Sequence, residues 1–109
     1  MDAAKLAQSI LDASAKSTSR DLQADLFDAV LRYARLRAEW AVSPLERRVE
    51  MDAARFRAHN VLIDAFNILS RAMARAGEDN NWRQELGTER RVIGDVACHM
   101  HCLLALSAR

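Results

Sequence analysis

The architecture of this chain depends on the stretch SPLERRVEMDAARFRAHNVLIDAFNILSRAMARAG, which runs from Ser43 to Gly77. It predicts one helix from Pro44 to Ala76, about 50 Å long at the usual rise per residue. Ser43 is placed to cap the start of this helix, with Glu46 completing a capping box. Gly77 suits the left-handed residue beyond the helix end. We therefore expect a long helix against which the rest of the chain packs.

The apolar residues of this helix are distributed differently in its two halves. In the first half they form one narrow apolar stripe at helical spacing, made of Leu45, Val49, Phe56 and Ile63. In the second half they spread over roughly 220° of the circumference. This second set comprises Val61, Leu62, Ile63, Ala65, Phe66, Ile68, Leu69 and Met73. The first half thus needs one neighbouring element, and the second half needs several.

The remaining segments are also helical in pattern. A strongly amphipathic segment precedes the long helix, and a segment with a broad apolar face follows it and could cover its second half. The predicted fold class is all-α, a single helical domain of residues 1–109. Its three main helices are at about 20–42, 44–76 and 89–107, with a short N-terminal helix at about 3–16 and a one-turn helix near 82–86.

Two of these segments carry specific expectations about packing. The N-terminal helix has only a thin apolar stripe, so we expect it to be peripheral, frayed or docked onto a partner subunit. In the one-turn helix, Trp82 and Leu86 are expected to tuck against the end of the long helix. Gly94 in the last helix costs about 1 kcal/mol relative to Ala, which suggests close packing against another backbone.

Composition excludes several classes of protein. Half of the residues are hydrophobic and only three are Gly and one Pro, which favours a globular helical chain over a disordered one. Sixteen basic and fifteen acidic residues give a net charge of +1, which disfavours a nucleic-acid partner. The longest apolar run, Cys102 to Leu106, is too short to span a membrane. Met1 to Lys5 lacks the start of a signal peptide, so we expect a cytoplasmic protein with free thiols.

A polar seam follows one side of the long helix, within roughly 80° of arc. Its members are Arg57, Asn60, Asp64, Asn67 and Arg71. Asparagine and aspartate among aliphatic residues favour specific hydrogen-bond partners in a half-buried environment. Arg90, Arg91 or Asp95 of the last helix, or a second copy of the chain, could supply those partners. A structural network, a solvated face and a ligand or hydrolytic pocket all stay open.

Potential metal ligands cluster in the last helix, in the segment GDVACHMHC. Asp95, Cys98, His99 and Cys102 lie within roughly 100° of arc. Thiolate and imidazole groups are suitable ligands for zinc or copper. Cysteine also fills apolar space in many cores. Metal binding by Cys98, His99 and Cys102 is therefore an alternative hypothesis, and no cofactor is otherwise predicted.

No catalytic residue can be assigned from motifs. Ser/His/Asp arrangements, Gly-rich phosphate loops and repeated Glu-x-x-Glu pairs are all missing. Arg55 and His59 lie one helical turn apart and form a candidate acid/base pair. The position of His59 near Phe66 on the helix circumference instead favours a buried, hydrogen-bonded core histidine.

Residues 55–98 resemble a family of small bacterial helical proteins of unknown function. The features that carry the resemblance are HN-x-LID-x-x-N-x-LSR at residues 59–71, Trp82, and RRVIGD at residues 90–95. Because the family has no assigned activity, the resemblance implies no catalytic residue. It does imply that the polar seam shares one feature with the last helix, comprising Asn60, Asp64, Asn67, Arg71, Arg91 and Asp95.

The apolar surface of the long helix exceeds what three helices can cover, which predicts a homodimer. We therefore expect a non-enzymatic protein–protein interaction or regulatory protein, whose partners are a second copy of itself and another protein. The alternatives are a small-ligand or hydrolytic site in the polar seam and the metal-binding sensor described above.

Overall fold

The computed structural model describes residues 2–107. It contains five helices, α1 (Ala3–Ala15), α2 (Arg20–Ala41), α3 (Leu45–Arg75), α4 (Trp82–Leu86) and α5 (Arg90–Ser107). No strand occurs in this part of the chain. The all-α prediction is confirmed, and each predicted helix lies within a residue of the observed one at either end. No helix between residues 2 and 107 has the length and apolarity that crossing a membrane requires.

The two ends of α3 are stabilised in different ways. The predicted cap at its start is wrong, because the Ser43 hydroxyl donates to the Glu39 carbonyl at 2.6 Å and Pro44 occupies the cap position without a side-chain bond. The predicted stop at its end is confirmed. Gly77 has φ +71°, and the next backbone amide, that of Glu78, donates to the Met73 carbonyl at 2.9 Å. This arrangement satisfies carbonyls that the last helical turn leaves free.

The core is built mainly from α1, α2, α5 and the second half of α3. Its largest fully buried side chain is Phe66, whose ring lies 6.0 Å from that of Trp82 in α4. The prediction that Trp82 and Leu86 tuck into the fold is therefore correct. The helix α5 packs chiefly against α1 and α2 and touches α3 only slightly, so the expectation that α5 covers the second half of α3 needs correction.

The N-terminal helix α1 belongs to the core, which contradicts the expectation that it is peripheral. Leu6, Ala7 and Ile10 are buried against α4 and α5. A long-range contact fixes the joint that follows α1. The carboxylate of Glu78 accepts bonds from the Ser17 hydroxyl at 2.8 Å and the Thr18 amide at 2.9 Å. The apolar pattern of α1 underestimates its burial, because its large apolar residues are few but all face the core.

The helices α2 and α3 form a hairpin that is joined at Val42 to Pro44 and shares the largest helix–helix contact in the fold. The face of α3 directed into the core in its first half contains Met51 and Ala58. The predicted apolar stripe therefore lies mostly outside, and this expectation is wrong. Which face of α3 meets α2 depends on the Val42–Pro44 joint and on long-range packing. Residue spacing within α3 does not predict that face.

The glycine in α5 fits the expectation of close packing, but its neighbour differs from the predicted one. A Cβ at Gly94 would collide with the Tyr33 hydroxyl and lie 3.2 Å from a guanidinium nitrogen of Arg37. Both groups are side chains of α2 rather than a backbone. Their approach brings α2 and the first turns of α5 together at the site described next.

Candidate functional site

Two asparagines of the polar seam hold the connection between α4 and α5 against α3. The Asn60 side-chain oxygen accepts from Arg90 at 3.1 Å, and that of Asn67 accepts from the Arg83 Nε at 2.7 Å. Arg83 also donates to the carbonyl of Gly87 at 2.8 Å, so it bridges α3 to the glycine after α4. This part of the seam acts as a structural network.

The other predicted members of the site lie apart from these asparagines. Arg57, Asp64 and Arg71 are exposed, and none has a side-chain hydrogen bond or ion pair within residues 2–107. Asp95 pairs with Arg37 of α2 at 2.6 Å rather than with either asparagine. Arg91 is exposed beside that pair. The structure therefore does not bring the seven predicted residues into one site.

The three candidate metal ligands are not assembled either. Cys98 is half-buried, whereas His99 and Cys102 are exposed. Within the described residues, no group of three or more His, Cys, Asp or Glu side chains is arranged to hold a metal ion. Burial raises the pKa of the Cys98 thiol, and the Asp95 charge adds to this effect while Arg37 opposes it. Cys98 therefore stays a neutral thiol near pH 7.

A half-open cleft of about 510 Å³ lies where α2, α3 and the start of α5 meet. We call it the arginine cleft. Four arginines, three aromatic or imidazole rings and one alanine line it, namely Tyr33, Arg37, Trp40, Ala41, Arg55, His59, Arg90 and Arg91. A neighbouring depression of about 530 Å³ shares Tyr33, Arg55, His59 and Arg90 with it and extends along α3 to Phe56.

Trp40 forms one wall of the arginine cleft and is held there by arginines of α3. The guanidinium carbons of Arg48 and Arg55 lie 4.4 and 4.2 Å from the centroid of the Trp40 ring. Arg48 also donates to the carbonyls of Trp40 at 3.0 Å and Ala41 at 2.9 Å. These bonds satisfy carbonyls at the C-terminal end of α2 and fix the wall in place.

His59 lies at the floor of the arginine cleft, with 7% of its surface exposed. Its Nε2 is 2.8 Å from the Arg90 carbonyl, so Nε2 carries the proton and donates. Its ring meets that of Tyr33 edge-on at 5.2 Å between centroids. Burial lowers the pKa of His59, and the charges of Arg90 and Arg55 lower it further. The prediction of a buried, hydrogen-bonded histidine is confirmed.

The four arginines of the cleft differ in how they are compensated. Burial disfavours the charge of Arg37, but the hydrogen bond to Asp95 and the nearby acidic groups together outweigh that effect and raise the Arg37 pKa. Arg55 lies 3.8 Å from Asp52, at the edge of ion-pair distance. Arg90 lies over the Phe56 ring at 4.9 Å, and within residues 2–107 neither Arg90 nor Arg91 forms an ion pair. The cleft therefore carries an excess of positive charge.

Only fragments of this site are predictable from the sequence, because its residues come from three helices. Arg55 and His59 are recognisable as a pair one turn apart, and Arg91 as a possible partner of the polar seam. Nothing in the spacing of Arg37 and Trp40 in α2 indicates that they face these residues. The arginines surround Trp40 only in the folded hairpin, so sequence spacing does not reveal their grouping.

A second feature of the same region is an exposed apolar patch at the tip of the α2–α3 hairpin. It consists of Val42, Leu45, Val49 and Phe56, which are 86%, 73%, 64% and 61% exposed. Farther along α3, Val61 and Ile68 are about half exposed, whereas Leu62 between them is fully buried. Large apolar side chains that share one exposed face are typical of contact surfaces.

The chain matches no protein-family model, no curated protein and no solved structure. The resemblance of residues 55–98 to small bacterial helical proteins stays a prediction.

Proposed function

We propose that this chain is a cytoplasmic, non-enzymatic interaction protein that acts as a homodimer. The exposed apolar patch at the tip of the α2–α3 hairpin is the observation that carries this proposal. In the single chain its four side chains are exposed to water and lack the stabilising free energy that burial would provide. Pairing two patches would cover them.

A second copy of the chain suits this patch better than a strongly charged partner. The exposed residues around it carry both signs of charge, with Glu46, Arg47, Glu50 and Asp52 beside the apolar side chains. Two-fold symmetry lets the same patch serve on both subunits. From Leu45 to Phe56 the patch extends about 16 Å along α3, enough for two helices to cross or run side by side.

The half-exposed Val61 and Ile68 lie on a different side of α3 from this patch. In the proposed dimer they remain available to a further protein. One face of α3 would then join the two subunits, and another would bind the protein that the dimer regulates.

The oligomeric state tests the proposal. Light scattering coupled to gel filtration should give a mass near twice the 12.3 kDa of the chain. Val49→Glu would bury a carboxylate in the interface and should raise the dimer dissociation constant at least ~100-fold. Leu106→Glu is the matched control, because Leu106 is equally exposed but lies at the end of α5.

Two outcomes would contradict the proposal. A monomeric mass for the unmodified chain at millimolar concentration would exclude the dimer. Equal dissociation by Val49→Glu and Leu106→Glu would show that the subunits do not meet at the hairpin tip.

A further inference from the structure

The arginine cleft has a charge imbalance that the proposed homodimer does not use. Four guanidinium groups line it, and no carboxylate does. Asp95 compensates Arg37, and Asp52 lies at the margin of ion-pair distance from Arg55. Two positive charges, those of Arg90 and Arg91, are left over. A ligand that neutralises them would carry about two negative charges.

Residues that line this cleft also hold most of the unsatisfied buried side-chain nitrogens of residues 2–107. Four buried side-chain nitrogens between residues 2 and 107 have no hydrogen-bond partner, and three of them belong to cleft-lining residues. These are Trp40 Nε1, Arg55 Nε and His59 Nδ1. Trp40 and Arg55 offer donors here, and Nδ1 of His59 offers an acceptor because the proton is on Nε2. Buried donors without partners call for an explanation, and a bound anion would satisfy those of Trp40 and Arg55; the Nδ1 acceptor of His59 needs a donor, such as an ordered water.

We propose that the arginine cleft binds a small organic phosphomonoester. A phosphomonoester carries close to two negative charges and three oxygens, which matches the two uncompensated guanidinium groups and their forked geometry. The walls formed by Tyr33, Trp40 and Ala41 give the organic portion an apolar surface. A cleft of about 510 Å³ is within the range of small-molecule sites.

Inorganic phosphate and phenyl phosphate are the probes for this proposal, titrated by isothermal calorimetry at constant ionic strength. Both should bind the unmodified protein, and phenyl phosphate should bind more tightly because its ring contacts the apolar walls. Arg91→Gln should weaken phenyl phosphate binding about tenfold, since Arg91 lines the cleft and makes no ion pair that holds the fold. Arg91→Lys keeps the charge without the fork and should fall between.

Arg71→Gln is the matched control. Arg71 is also an exposed arginine without an ion pair among the described residues, but it lies outside the cleft, so its substitution should leave the affinity unchanged. Val49→Glu should keep the affinity too, which separates this proposal from that of the homodimer. Absence of binding at millimolar probe, equal affinity for the two probes, or equal losses in Arg91→Gln and Arg71→Gln would each overturn the proposal.

Discussion

The two halves of α3 both carry large apolar side chains but place them in different surroundings. In the second half Leu62, Phe66 and Leu69 are fully enclosed, because they belong to the one core cluster to which all five helices contribute. In the first half Leu45 and Phe56 are mostly exposed, because α2 takes another face and the start of α5 reaches this part mainly through Arg90. The burial of an apolar residue on a helix is therefore decided by how many elements reach it.

Two phenylalanines of the same helix test this contrast most strongly. Phe66→Ala should lower the free energy of unfolding by about 3–5 kcal/mol, because it opens a cavity at the centre of the core. Phe56→Ala should change it by less than about 1 kcal/mol, since that ring is mostly exposed and contacts chiefly Arg90. Urea denaturation followed by circular dichroism, in dilute protein, measures both. Similar losses would mean that the first half of α3 is buried as well.

The polar seam offers a smaller test within the second half of α3. Asn67→Ala removes the acceptor of Arg83 and should cost about 1 kcal/mol of unfolding free energy. Asp64→Ala, one turn away and exposed, should stay within about 0.5 kcal/mol. The same denaturation experiment compares the two. A larger loss of unfolding free energy in Asp64→Ala would show that Asp64 belongs to the structural network, contrary to its exposed position.

The smallest expected effect is a pH dependence at His59, where the two halves of α3 meet. Because burial lowers its pKa in the folded state, the unfolded chain binds a proton more readily. The contribution of His59 to stability is complete above its ordinary pKa of about 6.5 and is lost as the pH falls below that value.

Denaturation midpoints between pH 5 and 7.5 measure this dependence. The unmodified protein should lose stability on acidification across this range, and His59→Gln should lose less over the same range. An identical slope in the two proteins would show that His59 does not sense the burial and the positive charges of Arg55 and Arg90 around it.

Local chemistry explains what could be predicted from the sequence. The helices follow from apolar periodicity, the end of α3 from Gly77, and the burial of Trp82 and His59 from their positions beside apolar residues. These features depend on neighbours within a few turns of helix. The homodimer, the partner protein and the cytoplasmic location stay predictions.

Features that depend on contacts across the chain were not predictable in the same way. The position of α1 in the core depends partly on the bonds of Glu78 to Ser17 and Thr18, sixty residues earlier in the sequence. Asp95 could not be matched to Arg37 because the approach of α2 to α5 is decided at Gly94. The arginine cleft combines three helices for the same reason.

The pairing of the first helix with the last has a consequence for how the chain is made. A ribosome delivers α1 before α2, α3 and α4, and only then its main neighbour, α5. Leu6 and Ile10 must therefore stay exposed to water, or be bound by a chaperone, until α5 has emerged.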